Sequence, residues 1–183
     1  MSHESFSRIY LDYAATTPLR EESARAMQAI AGSAALNPSS LHAEGRRARA
    51  LLDDARERVA SLLGASRKEI EFTGGGTESD NHALGGVVRA LPRRGRIVVG
   101  ATEHHAVLHA AAELAREGNA VTRVPVDGDG RIDPDAFAGA LNADALLASV
   151  MYANNEIGTV APIAQLAAQA RASFARRRAR TRR

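Results

Sequence analysis

The 183-residue sequence contains no cysteine, a single lysine, Lys68, and only 4% aromatic residues. Without cysteine there is no disulfide, no zinc–thiolate site and no thiolate nucleophile within these residues. No uninterrupted apolar run is long enough to span a bilayer. Residues 1–8 hold polar and acidic side chains where a signal peptide carries an apolar core, so a cytoplasmic protein without membrane contact is expected. Acids are absent after Ala170, where seven arginines lie. With 7 of the 24 basic residues there, the body holds 17 bases against 21 acids, and the net charge of +3 belongs to the tail. What is present, 45% hydrophobic and 25% charged residues, suits a soluble globular domain long enough to bury a core.

The most distinctive stretch is Phe72-Thr73-Gly74-Gly75-Gly76-Thr77-Glu78-Ser79-Asp80-Asn81. It reads as the end of a short strand, residues 69–73, running through a glycine turn into a helix. Consecutive glycines permit positive φ and close approach of a ligand to the backbone. The first N–H groups of a helix lack internal partners, and the helix dipole adds to their attraction for an anion. Thr77 adds a hydroxyl donor. The pattern is neither G-x-G-x-x-G nor a P-loop, and a plain strand-to-helix turn uses the same residues.

Elsewhere the punctuation is regular. Residues 9–13 read as extended, Thr17 and Pro18 as a helix start, and Gly32 as its end. Apolar residues at helical spacing from Ala48 to Leu63, closed by Gly64, predict a strong amphipathic helix. From residue 69 strands and helices alternate. Strands are expected at 96–100, 120–124 and 145–150, with helices at 77–90 and 105–117 and a short one capped by Asp133-Pro134. Such alternation implies right-handed crossovers and a mostly parallel sheet with helices on both faces, an α/β fold. Ligands gather in the loops that follow such strands, here 74–80, 101–105 and 151–158.

Two of those loops carry chemistry. Thr102-Glu103-His104-His105 sets an imidazole just beyond a strand, suited to stacking and proton transfer, whereas His105 reads as a solvated surface residue. Met151-Tyr152-Ala153-Asn154-Asn155-Glu156-Ile157-Gly158 supplies two carboxamides, which can donate to a ring hydroxyl but are also ordinary turn residues.

Taken with Tyr10-Leu11-Asp12-Tyr13-Ala14-Ala15-Thr16-Thr17-Pro18 and Asn37-Pro38-Ser39-Ser40-Leu41-His42 with Gly45, these blocks stand in one order over residues 9–165. In that order the chain resembles the pyridoxal-phosphate (PLP) cysteine desulfurases of the class V aminotransferase group. The resemblance implies a PLP-dependent transferase of fold-type I. Residues 1–170 would then be the N-terminal part of the PLP-binding large domain, truncated, with the first residues belonging to the small domain of a full-length enzyme. It implies that the backbone at Gly76 and the side chain of Thr77 bind the cofactor phosphate. His104 would stack on the pyridine and take part in proton transfer, and Asn155 would hydrogen-bond the ring hydroxyl. Ala14, Thr16 and Asn37 would lie near the substrate, with no metal involved. The family reaction takes L-cysteine to L-alanine with sulfur transfer through an enzyme persulfide, for iron–sulfur cluster assembly or tRNA thiolation. Its partners are sulfur-acceptor or scaffold proteins, and its members are usually homodimers.

The resemblance stops at two needs. The chemistry requires a lysine to hold the cofactor as a Schiff base and a cysteine to take up sulfur. Lys68, in Ala65-Ser66-Arg67-Lys68, is not the expected Schiff-base lysine, and no cysteine exists. The chain by itself is therefore expected to be inactive. Residues 171–183 read as a basic tail, disordered or the product of a frameshift; a nucleic-acid-binding arm is not favoured, since no recognised motif accompanies it. Another class V enzyme, such as an aminotransferase or selenocysteine lyase, and a non-catalytic binding fragment are the alternative readings.

Overall fold

The computed structural model describes residues 9–33 and 37–180. The chain divides between Phe72 and Thr73 into two compact units. Among the described residues no helix is long and apolar enough to cross a membrane.

The first unit is helical, with α1 (Glu21–Ala31) and α2 (Ala43–Leu63). Residues 9–13 do not form a strand. The Tyr10 hydroxyl donates to the carbonyls of Asp12 (2.7 Å) and Thr16 (3.1 Å), and Asp12 Oδ1 accepts the Ala15 N–H, so the segment curls into a turn. Thr17 does not cap α1. Its hydroxyl donates to the Tyr13 carbonyl instead, and the helix starts after Arg20 with no side-chain cap. At α2 the sequence signals hold. His42 Nδ1 accepts the Gly45 N–H at the start, and Gly64, at φ 65°, ends the helix in the left-handed conformation that glycine adopts without strain.

The strand expected over residues 69–73 is absent. A 3-10 turn at Arg67–Glu69 is closed by Glu69, whose carboxylate accepts the Ser66 N–H (2.8 Å) and hydroxyl (2.9 Å). Ile70 is extended (φ −102°, ψ 119°), but residues 70–73 pair with no described strand. Extended backbone becomes a strand only when a neighbour takes up its N–H and C=O groups.

The second unit follows the expected alternation: α3 (Gly76–Ala90), β1 (Arg96–Gly100), α4 (His105–Arg116), β2 (Ala120–Val124), α5 (Pro134–Ala140), β3 (Ala145–Ser149) and α6 (Ile163–Arg180). The three strands are parallel, in the order β2-β1-β3. Strand β1 is buried on both faces, which is why its centre, Ile97-Val98-Val99, is a continuous apolar run. Ile97 and Val99 pack with Leu84 and Val88 of α3 and Val107 and Leu114 of α4. Val98 points the other way, into a cluster with Phe137 of α5, Leu141 just after it and Leu166 of α6. Fully burying one such side chain contributes about 1.5–3 kcal/mol, so the two clusters carry most of this unit's stability.

Helix α6 continues through residue 170 to Arg180. The arginine-rich stretch thus begins inside a helix, consistent with the high helix propensity of Ala, Arg and Gln. Ser173 anchors it by donating to the Leu141 carbonyl at 2.8 Å. Residues 181–183, the end of the expected tail, lie outside the described residues.

Candidate functional site

The strand order creates a crevice. From β1 the chain passes to α4 on one face of the sheet; from the adjacent β3 it passes to α6 on the opposite face. Where neighbouring strands send their connections to opposite sides, a cleft opens beyond their carboxyl ends, and this is where open α/β sheets bind ligands. The turns at 101–105 and 151–158 border that cleft. A small cavity there is lined by Gly100, Thr102, Glu103, Met151 and Asn154, among others.

His104 caps the start of α4. Its Nδ1 accepts the Ala106 N–H at 3.1 Å, so the neutral ring carries its proton on Nε2. The ring is exposed and stands edge-on to that of His105, 6.3 Å away. His105 is also exposed, on the outer side of α4 near His109.

The two asparagines of the third loop differ. Asn154 is consumed by the turn: its Oδ1 accepts the N–H groups of Glu156 (2.9 Å) and Ile157 (3.1 Å), while its Nδ2 donates to the Thr102 carbonyl at 3.2 Å. Gly158, at φ 74°, lets the chain turn back, and its N–H bonds to the Asn154 carbonyl. Asn155 is exposed, and its carboxamide has no hydrogen-bond partner among the described residues.

The glycine turn departs from expectation in its conformation. None of Gly74, Gly75 and Gly76 takes a left-handed φ; Gly75 is simply extended. Their value is spatial. A Cβ at Gly75 or Gly76 would stand in open space, with no protein atom within 4 Å, so these positions leave room for a ligand against the backbone. The turn is held from inside. Glu78 accepts the Gly74 N–H at 2.6 Å, and Thr73 and Ser79 share a 2.6 Å hydroxyl bond, which leaves one of the two hydroxyls to donate to the Gly75 carbonyl, 3.2 Å from each. The first helical bond is Ser79 N–H to Gly75 O, which leaves the N–H groups of Gly76, Thr77 and Glu78 and the Thr77 hydroxyl without partners among the described residues. Asp80, in the first turns of α3, acts electrostatically on Glu103.

Glu103 is the residue to which sequence reasoning assigned no role. Among the described residues it is one of three buried polar or charged side chains, 8% exposed. Its Oε1 accepts the Met151 N–H. Burial raises its pKa above the ordinary carboxylate value and Asp80 raises it further, while the bonds from Met151 and Ser149 pull the other way. The sign follows. A carboxyl that binds its proton more tightly when folded stabilises the fold below the ordinary carboxylate range and loses that contribution as pH rises through its raised value. Wild type is therefore expected to lose stability relative to Glu103→Gln as pH increases across that window, read as the difference between their urea midpoints at successive pH values. A constant difference would show that Glu103 ionises as in the unfolded chain.

Ala14, Thr16 and Asn37 belong to the first unit. Ala14 and Thr16 are exposed in the 12–16 turn, and Asn37 Oδ1 accepts the Ser39 N–H at 2.9 Å. Lys68 is exposed on the 3-10 turn of that unit.

Comparison with known proteins agrees with this geometry. The family model described as aminotransferase class-V matches residues 9–176. A cysteine desulfurase IscS of Dictyoglomus turgidum is 48% identical over 159 residues, covering 86% of this chain and 40% of the relative. An IscS-like cysteine desulfurase of Mycobacterium tuberculosis is 46% identical over 164 residues, covering 86% and 42%. Among solved structures, a NifS-like protein superposes with a TM-score of 0.87 at 34% identity, over 91% of this chain and 46% of that one. SspA in complex with cysteine gives 0.84 at 32% identity, over 90% and 48%. The chain spans about 40% of the length of the IscS relatives it matches. A parallel sheet with a crevice at its carboxyl edge, an open glycine turn and the match over residues 9–176 give one assignment: the chain belongs to the class-V aminotransferase family, whose members are PLP-dependent.

Proposed function

We propose that this segment is the phosphate- and ring-binding part of a PLP-dependent cysteine desulfurase, which converts L-cysteine to L-alanine and passes the sulfur to an acceptor protein. The observation that carries the reading is the glycine cradle: open space at Gly75 and Gly76 in front of unpaired N–H groups and the Thr77 hydroxyl. The donor set suits a phosphorylated pyridine. Gly76 N–H and Thr77 would bind the phosphate, drawn by the α3 dipole. The His104 ring would cover the aromatic face, its Nε2 proton available for transfer, and the free Asn155 amide would donate to the ring hydroxyl. Ala14, Thr16 and Asn37 would face the substrate. When bound, PLP supplies an electron sink for bonds broken at the substrate α-carbon.

Sulfur transfer through a thiolate needs a cysteine, which these 183 residues lack, and their one lysine is Lys68. The chain alone is therefore expected to bind PLP reversibly and to release no alanine from cysteine. Titration with PLP, followed by absorbance, tests the reading. Binding competed by inorganic phosphate and weakened about tenfold by Thr77→Ala, the loss of one charge-assisted hydrogen bond, is the expected result. Borohydride should leave no adduct at Lys68. Binding indifferent to phosphate and to Thr77→Ala would overturn the assignment.

A further inference from the structure

Building on that reading, we propose that Glu103 is a positioning residue, whose carboxylate ties the turn bearing His104 to the turn bearing Asn155 and so sets the spacing of the two groups that would grip an aromatic ring. The need for a tie comes from the topology. Pairing between β1 and β3 ends at Val99 and Ser149, after which the two chains leave for opposite faces of the sheet. No ladder bond holds the turns together past that point, and the Met151 N–H would be left over in a half-buried position. Glu103 Oε1 accepts it. The Asn154 amide, donating to the Thr102 carbonyl, is the other link across the gap.

Both links insert their load into one rigid body. Asn154 also closes the 154–158 turn from within, so whatever fixes Asn154 fixes Asn155, the next residue in that turn. On the other side Glu103 directly precedes His104, whose ring is held by the first turn of α4. Glycine at position 100 makes the arrangement possible, since a Cβ there would lie 3.2 Å from Glu103 Oε1.

A buried carboxylate is an unfavourable choice if packing alone is at stake. Among the described residues Glu103 has no cationic partner, and its charged neighbour is the like-signed Asp80. Removing such a group from water costs several kcal/mol unless hydrogen bonds replace the lost hydration. What the carboxyl supplies in return is an acceptor on a stem long enough to reach the Met151 N–H across the gap.

The test uses the full chain with two probes, PLP and inorganic phosphate, and two variants. In Glu103→Ala the Met151 amide should exchange with solvent about tenfold faster or more, as expected for a lost bond to a charged acceptor. The affinity for PLP should fall about tenfold, while that for inorganic phosphate, held by α3, stays unchanged. Glu103→Gln, which keeps one acceptor oxygen, should restore both readouts to within about threefold. An unchanged ratio of PLP to phosphate affinity in Glu103→Ala would overturn the inference, as would a glutamine variant that binds the ring no better than alanine. If the alanine variant fails to fold, Glu103→Asp replaces it, because the shorter stem cannot reach Met151. If wild type binds PLP no tighter than phosphate, the cofactor reading itself fails, and Met151 exchange alone then decides whether Glu103 ties the turns.

Discussion

Valine in place of Gly76 is expected to weaken binding of PLP and of inorganic phosphate about a hundredfold, while leaving the thermal midpoint almost unmoved. The separation of the two effects follows from where the new atoms go. Gly76 is the first residue of α3, its φ is not in the left-handed region, and a Cβ there meets no protein atom within 4 Å. The fold therefore has room for the side chain, and the helix-propensity penalty of valine is under about 1 kcal/mol. The same open space is where a phosphate must sit to reach the N–H groups of Gly76, Thr77 and Glu78. A branched side chain there shields the donors, and one to two charge-assisted bonds of about 1.5–3 kcal/mol correspond to a factor of about a hundred. Isothermal titration with phosphate, beside a melting curve, makes the measurement. A Gly76→Val chain that binds phosphate normally would move the anion site away from this turn, and one that melts far below wild type would mean that Gly76 serves the fold.

Much of the fold was legible because its signals are local. Strands β1 and β2 fall at Arg96–Gly100 and Ala120–Val124, the bounds the sequence predicts between its turn residues. Helix α2 ends at Gly64 because only a residue at ease with φ 65° can close it there. The errors share a different property. Residues 69–73 have the composition of a strand, yet a strand needs a partner from elsewhere in the chain. Thr17 is a good cap by type, but a cap requires the backbone to arrive at the right angle, and the Tyr13 carbonyl claims its hydroxyl first. The candidate site divides in the same way. The order of its blocks points to His104, Gly76, Thr77 and Asn155, whereas the bonds that draw those blocks together join residues 48 and 52 apart, Glu103 with Met151 and Thr102 with Asn154. Pairings of that span leave no periodic trace, so Glu103 stood in the sequence as a bystander to the histidine that follows it.

A large loss of stability from a single methyl group is expected at Gly95. Its N–H donates to Asn119 Oδ1 (3.3 Å) and its carbonyl accepts the Ala120 N–H (2.9 Å), so it links the starts of β1 and β2. Asn119 is itself buried and spends its amide on the Leu114 carbonyl, which pins the end of α4 to the same point. On the other side β3 is irregular: Arg96 pairs with Ala145 but Ile97 with Leu147, so Leu146 is an extra residue pushed toward β1. A Cβ on residue 95 would stand 2.4 Å from the Asp144 carbonyl oxygen and 2.7 Å from Leu146 Cγ. The leucine could rotate only by leaving the cluster it shares with Ile97 and Val99, and the carbonyl could retreat only by giving up the Arg96 N–H it accepts at 2.8 Å. Overpacking of this kind costs about 3 kcal/mol, and Gly95→Ala should lower the melting temperature by about 10 °C. Gly139→Ala is the matching control. Residue 139 is exposed in α5, with nothing within 4 Å of its Cβ position, and alanine there should stabilise by about 0.5–1 kcal/mol. If both variants melt together, the close approach at Gly95 is not part of the folded chain in solution, and the register of β3 against β1 would have to be redrawn.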